Sequence, residues 1–274
     1  MAQKEMLQER ALSIRTSVVR MIHGAGSGHV GGSLGMADVF TALYFSVLSH
    51  KPEQPDWPER DRLIVSNGHI CPVWYATLAE AGYLRKEELM TLRKLGSRLQ
   101  GHPANKELPL VEISTGSLGQ GVSAAVGLAL GTRMDRRSQR VYCCLGDGEM
   151  QEGSVWEALM AAGHYKLANL TAFVDRNMVQ QNGRTEDVIG LEPLRKKLEA
   201  FRWTVFEADG HDFEQILDAF GKAKRNTEGP SFIIFNTVMA KGVPFMENDF
   251  KWHGTPPDDG VAKRALDALG GEGR

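Results

Sequence analysis

From residue 110 onward the chain alternates short, unbroken apolar runs with helix-spaced segments, and no other feature narrows its folding options as much. The strand candidates are 140–145, 169–175, 203–207 and 231–238, and helix candidates near 119–133, 153–167, 191–200 and 212–225 lie between or beside them. A strand with one wetted face alternates apolar and polar residues, whereas continuous apolar runs mark strands buried on both faces. Alternating β and α units then predict an α/β fold, a mostly parallel sheet with helices on both faces. All 274 residues are expected to form a single domain, with an N-terminal helical and loop segment and a short C-terminal tail, "GGEGR", that reads as a frayed end.

The N-terminal segment begins with Leu7, Ala11, Ile14, Val18 and Ile22 at helical spacing within 4–23. A glycine-rich loop, "GAGSGHVGGSLG", follows at 24–35, then the helix-like run "MADVFTALYFSVL". "HKPEQPDWPERD" (50–61), with three prolines, reads as an irregular connection, and "RLIVSNGH" as a short strand ending in a loop. A formal net charge of −2 gives no electrostatic case for nucleic acid or an anionic membrane. Three cysteines, Cys71, Cys143 and Cys144, cannot build a disulfide framework, and two of them are adjacent in an expected buried strand, which suits a reducing cytosol. The charged N-terminus "MAQKEMLQER" has no apolar signal core, and the longest apolar stretch, 122–131, is too short to span a bilayer. A soluble, cytoplasmic protein is expected.

Ligands of open α/β sheets collect at the carboxyl ends of the strands. Three glycine-bearing loops fall there: "SNGH" after 63–65, "GDGEMQEG" after 140–145 and "DRNMVQQNG" after 169–175. Asp147 ends one strand and Asn177 ends another, with helix 153–167 between them. Asp147 alone also suits a turn or a helix N-cap, and Asn177 alone a turn. Taken together, a carboxylate and an amide oxygen make a poor zinc site but suit Mg²⁺, whose shell is normally completed by water and phosphate oxygens. Gly146 and Gly148 let backbone amides approach those phosphates. Two decoys fall away. "GSGHVG" (26–31) fits a dinucleotide pattern but follows a helix rather than a strand. "DRNMVQQNG" starts like a calcium loop, yet its glycine comes too late and Val179 replaces an acidic ligand.

Gly-Asp-Gly, a helix, and then Asn177 thirty positions after Asp147 resemble the thiamine diphosphate signature. "SGHVGGSLGMADV", "SNGHICPVWYATL", "GHP" with "STGSLGQGVSAAVGLA", and "KWHG" extend the likeness, in order and spacing, to transketolase. The resemblance runs over nearly the whole chain and is to the N-terminal, diphosphate-binding part, which implies the thiamine diphosphate-binding fold and one subunit of a split transketolase. It implies transfer of a two-carbon ketol unit from a ketose phosphate to an aldose. It also implies thiamine diphosphate with Mg²⁺ (Ca²⁺ or Mn²⁺ as substitutes), sugar-phosphate substrates, and a separate C-terminal subunit in an α2β2 assembly. Residue by residue, it makes Asp147, Asn177 and the Val179 carbonyl metal ligands. It makes His69, Gly116, Ser117, Leu118, Gly148, Glu149 and His253, with Asp147 and Asn177, the cofactor contacts. His29, His102 and His253 become catalytic, and Glu152 belongs to a hydrogen-bond network between two cofactor sites. Many relatives carry proline where this chain has Ser117.

The four remaining histidines, His23, His50, His164 and His211, are expected to be structural, His211 as a cap of the following helix. The small-residue helix "GQGVSAAVGLALG" suits close packing against the sheet or against another chain. Competing assignments are one chain of a 2-oxoacid dehydrogenase, a deoxyxylulose-phosphate synthase, a non-catalytic cofactor-binding regulatory partner and a nicotinamide dehydrogenase. The loops "GHVGGSLGMAD" and "STGSLGQG" argue against the first, and "GHP" with "STGSLGQG" fits transketolase better than the second.

Overall fold

The apolar runs pair into one parallel sheet in the structure, a computed structural model that describes residues 2–270. The strands are β1 (Arg62–Val65), β2 (Val141–Gly146), β3 (Leu170–Arg176), β4 (Val179–Gln180), β5 (Gly183–Arg184), β6 (Thr204–Asp209) and β7 (Ser231–Asn236). The sheet runs β1-β2-β3-β7-β6 with every neighbouring pair parallel, while β4 and β5 form a separate antiparallel ribbon. The helices are α1 (Ala2–Ala25), α2 (Val30–Gly35), α3 (Ala37–Ala42), α4 (Cys71–Glu80), α5 (Gln120–Met134), α6 (Gly153–His164), α7 (Thr185–Val188), α8 (Leu194–Ala200), α9 (Phe213–Arg225) and α10 (Asp259–Ala268).

β2, β3 and β7 lack polar alternation because each face of the sheet has its own core, whereas β6, at the edge and expected to be buried on both faces, exposes Thr204, Glu207 and Asp209. Tyr142 and Cys144 of β2, Phe173 of β3, and Ile233 and Phe235 of β7 pack with α1, α4 and α9. Their sequence neighbours Val141, Cys143, Leu145, Ala172, Val174, Phe232 and Ile234 pack on the other side with α5, α6 and α8. Successive residues point to opposite faces, so both must be apolar. The three cysteines are free and buried; burial pushes the Cys71 thiol up to about 12 and the other two well above their ordinary value. Among the described residues no helix is long and apolar enough to cross a membrane.

Three further expectations change. The second half of the glycine-rich stretch 24–35 is helical, forming α2, and every residue of that helix is buried. Its glycines provide close approach: a Cβ on Gly31 would sit 2.8 Å from the Met239 side chain and 2.9 Å from the Trp252 carbonyl. β7 ends at Asn236 rather than 238 because the chain turns off the sheet to cover α2, with the Ala240 amide donating to the Gly31 carbonyl at 2.8 Å. α6 ends at His164 rather than 167, just before Lys166 takes a left-handed φ of 49°. The tail expected to fray lies, past Gly270, outside the described residues.

Candidate functional site

Parallel pairing brings the ends of β1, β2 and β3 to one edge of the sheet, where Gly146 stands opposite Asp175. Asp147 leaves β2 there and is 2% exposed. Its Oδ2 accepts from the Met178 amide at 2.8 Å and from Arg176 Nη1 at 3.2 Å, so the carboxylate is clamped to the loop that carries Asn177. Met178 takes a left-handed φ of 64°, which turns the chain between Asn177 and Val179. Asn177 Oδ1 accepts from the Val179 amide at 2.9 Å and its Nδ2 donates to Asp175 Oδ2 at 2.8 Å. Asp147, Asn177 and Val179 thus line one cleft of about 230 Å³, together with Gly148, His69 and His253. Burial raises the Asp147 carboxyl to about 6, against the opposing pull of Arg176 and the Met178 amide.

Among the described residues no group of three or more His, Cys, Asp and Glu side chains could hold a metal. The donors that do gather are oxygens of mixed kind, which match a hard cation that keeps phosphate and water in its shell. Two further observations fit a bound diphosphate. Asn67 Oδ1 is buried in the cleft with no partner among the described residues, as a polar atom awaiting a donor or an ion would be. A Cβ on Gly148 would sit 2.9 Å from Gln180 Cβ, so only bare backbone fits at that wall.

Three imidazoles cluster here, His69 and His253 in the wall of the cleft and His29 against them. The His29 and His69 rings are 5.0 Å apart, His69 and His253 5.2 Å, and His29 and His253 5.7 Å. Burial, with smaller repulsion from His253, Arg93 and His102, pushes His29 down to about 4. Burial likewise sends His69 well below its ordinary value and lowers His253 and His102, the last with help from Arg93. Neutral rings can both donate and accept, as sugar hydroxyls require. Nδ1 of His29 and of His253 are buried and have no partner among the described residues.

The other expected contacts divide. Leu118, Glu149 and Glu152 line the cleft, Gly116 backs the His102 ring with its Cα, and Ser117 is exposed. Glu149 is 2% exposed, and both of its oxygens are taken up by the chain: Oε1 accepts from Ser66 Oγ at 2.5 Å and the Gly119 amide at 2.9 Å, Oε2 from the Gly146 amide at 3.2 Å. It therefore fixes the ends of β1, β2 and α5, and its carboxyl is pushed up to about 7 by burial. Glu152 is exposed, at the position before α6. Of the histidines set aside, His211 does not cap α9. Asp212 does, accepting from the Glu214 and Gln215 amides, while His211 bridges Asp38 Oδ2 and the Val238 amide at 2.8 Å each. His50 joins Tyr83 Oη and the Tyr44 carbonyl, and His23 the Pro257 carbonyl.

Three residues escaped the sequence reading: Asn67, Asp175 and Arg176. Asn67 was in plain view in "SNGH", and the other two in "DRN". Asp175, 2% exposed and pushed up to about 7 by burial, accepts from Thr237 Oγ1 and Asn177. Arg176 joins Asp147 to Glu186 and Glu192. The available signal was the polarity of a strand end that should otherwise have been apolar.

The family described as the transketolase, thiamine diphosphate binding domain, matches residues 6–272. The chain is 43% identical over 267 residues to the 6-deoxy-6-sulfo-D-fructose transketolase subunit SqwG of Clostridium sp. (strain MSTE9), covering 97% of each chain. It is 40% identical over 251 residues to one of the subunits of the apulose-4-phosphate transketolase from Phocaeicola vulgatus, covering 92% of this chain and 89% of that one. Human transketolase is 39% identical over 266 residues, which are 97% of this chain but 42% of the human one. The transketolase structure from Campylobacter jejuni superposes with a TM-score of 0.91 at 36% identity, over 97% of this chain and 43% of that chain.

Proposed function

Because the chain belongs to the transketolase family through its thiamine diphosphate-binding domain, we propose that it is the cofactor-binding subunit of a two-chain transketolase that moves a two-carbon ketol unit from an anionic ketose to an aldose. The clamp between Asp147 and the Asn177 loop, beside a cluster of neutral histidines, is the observation that carries this reading. The subunit-length match to two transketolase subunits supports the division into two chains.

Asp147, Asn177 and the Val179 carbonyl would hold Mg²⁺, and Ca²⁺ or Mn²⁺ would serve as substitutes. Asn67, His69 and the Gly148 amide would meet the diphosphate. When bound, thiamine diphosphate supplies the electron sink for breaking and making the carbon–carbon bond. His29, His102 and His253 orient sugar hydroxyls and hold or pass their protons, which neutral imidazoles can do near neutral pH. Glu152, exposed on this chain, is available to a hydrogen-bond network with a second copy. The group that activates the aminopyrimidine ring, and the aromatic stacked on it, come from the separate C-terminal subunit, so that each site forms between chains in an α2β2 assembly. The substrate candidates are anionic sugars of the kinds named for the relatives, 6-deoxy-6-sulfo-D-fructose and apulose 4-phosphate.

The test is reconstitution. The purified chain, thiamine diphosphate and Mg²⁺ are mixed with a candidate C-terminal subunit, and ketol transfer is followed with each anionic ketose. Turnover is expected only in the mixture; full turnover by the isolated chain contradicts the reading.

A further inference from the structure

Arg93 lies outside every motif discussed so far, yet it touches two of the loops that bear histidines. Its Nη1 donates to Ser27 Oγ at 2.9 Å, two residues before His29, and its Nη2 donates to the Gly101 carbonyl at 3.3 Å, one residue before His102. The guanidinium lies flat against Gly101: a Cβ there would be 2.6 Å from Arg93 Cζ. Arg93 itself has a φ of 58°, a region that non-glycine residues rarely occupy, and its amide donates to the Leu99 carbonyl at 2.9 Å. The Gly101 side of this contact is also held a second time, because Cys71 Sγ reaches the Gly101 carbonyl at 3.3 Å and Tyr75 Oη the Gln100 carbonyl at 3.1 Å. Among the described residues the Ser27 side chain has no second anchor of this kind: Ser27 sits in the turn between α1 and α2, between Gly26 and Gly28 at φ 60° and 141°. Arg98, a few residues on, is paired with Glu88 at 2.5 Å, but among the described residues no carboxylate pairs with Arg93.

We infer that Arg93 is a positioning residue for the transfer reaction: its fork ties the glycine turn before His29 to the anchored segment before His102, and so sets where the two imidazoles stand relative to each other. The inference rests on the transketolase reading of that site. A planar guanidinium is suited to the task because it can donate in two directions at once, which a lysine ammonium on a flexible stem does poorly. Its unpaired charge faces the same rings. The titratable or charged groups around His29 are His69, His253, His102 and Arg93. Those around His102 are Arg93, with His29 and His69 sensing it in turn.

The experiment compares wild type, Arg93→Met, Arg93→Lys and Ser27→Ala. The histidine ring signals of the full chain are titrated by NMR, and kcat/KM is measured in the assembly with the C-terminal subunit. Arg93→Met is expected to raise the titration midpoints of His29 and His102 by roughly half a unit or more, and to lower kcat/KM about tenfold or more through kcat. Arg93→Lys should leave the midpoints near wild type and still lose kcat/KM, and Ser27→Ala should lose less than either. Midpoints and kcat/KM unchanged in Arg93→Met, or full activity in Arg93→Lys, would overturn the proposal. Because the titration is read on this chain alone, an inactive wild-type assembly would count against the transketolase reading and leave the Arg93 result standing.

Discussion

Asp147 accepts the cost of leaving water in order to hold a loop. Its carboxyl, raised to about 6 by burial, is stabilised by Arg176 and by the Met178 amide, and a divalent ion would complete that compensation. Asp147→Ala is expected to abolish Mg²⁺-dependent binding of thiamine diphosphate, and calorimetry with unchanged affinity would contradict the metal assignment. His29 gives a second residue-scale prediction. Its folded pKa of about 4 lies below the ordinary value of 6.5. Between those values the unfolded chain binds more protons, so stability contributed by the neutral ring is present above pH 6.5 and is lost as pH falls toward 4. Buried carboxyls raised toward 7, such as Asp175, act with the opposite sign, so the informative quantity is a difference between variants. His29→Gln should lose less stability than wild type on going from pH 6.5 to 4, read from urea midpoints; parallel curves would refute the assignment. At this scale the sequence was legible wherever a residue sat in a spaced motif. Asp147, Asn177 and the histidine loops announced themselves, while Asp175 and Arg176 did not, because burial and partnership are decided by distant elements. Glu149 combines the two: it lines the cleft to which its sequence motif pointed, while its oxygens are held by Ser66, Gly119 and Gly146 from distant elements and its own turn.

Among the elements, the sheet was the easiest to foresee. Strands buried on both faces must be apolar throughout, so β2, β3 and β7 were visible to within one or two residues, and so was β6, although that edge strand exposes Thr204, Glu207 and Asp209. The glycine-rich stretch before α3 was not, since glycine is a poor helix former and the close packing of α2 against Met239, Trp252 and the Val238 backbone is set by distant parts of the chain. Close approach of backbone also governs the C-terminal end of α6. A Cβ on Gly163 would lie 1.8 Å from the Phe201 carbonyl oxygen. Gly163→Ala, which helix propensity alone would favour by about 1 kcal/mol, should instead destabilise the protein by about 1–3 kcal/mol. Thermal or urea unfolding measures the sign. The cap of α9 gives a smaller effect: removing the Asp212 side chain, which serves two amides, should cost about 1 kcal/mol.

For the whole molecule, sheet order brings to one edge the three loops that sequence order keeps far apart. Short apolar runs reveal that a parallel sheet exists, but not the order of its strands, and that order decides which loops meet. Two relatives that match this chain along most of their own length are transketolase subunits, so the complementary surfaces are expected on a second polypeptide. Size-exclusion chromatography with light scattering should register a complex with the C-terminal subunit. Loss of that complex on mixing would leave the site without its other wall. One everyday benefit follows from the sulfur chemistry of the core. Cys71, Cys143 and Cys144 are sealed inside and hold their protons, so maleimide dyes should leave the native chain unlabelled. A single thiol engineered onto its outside would then give a background-free optical handle for watching the two halves come together.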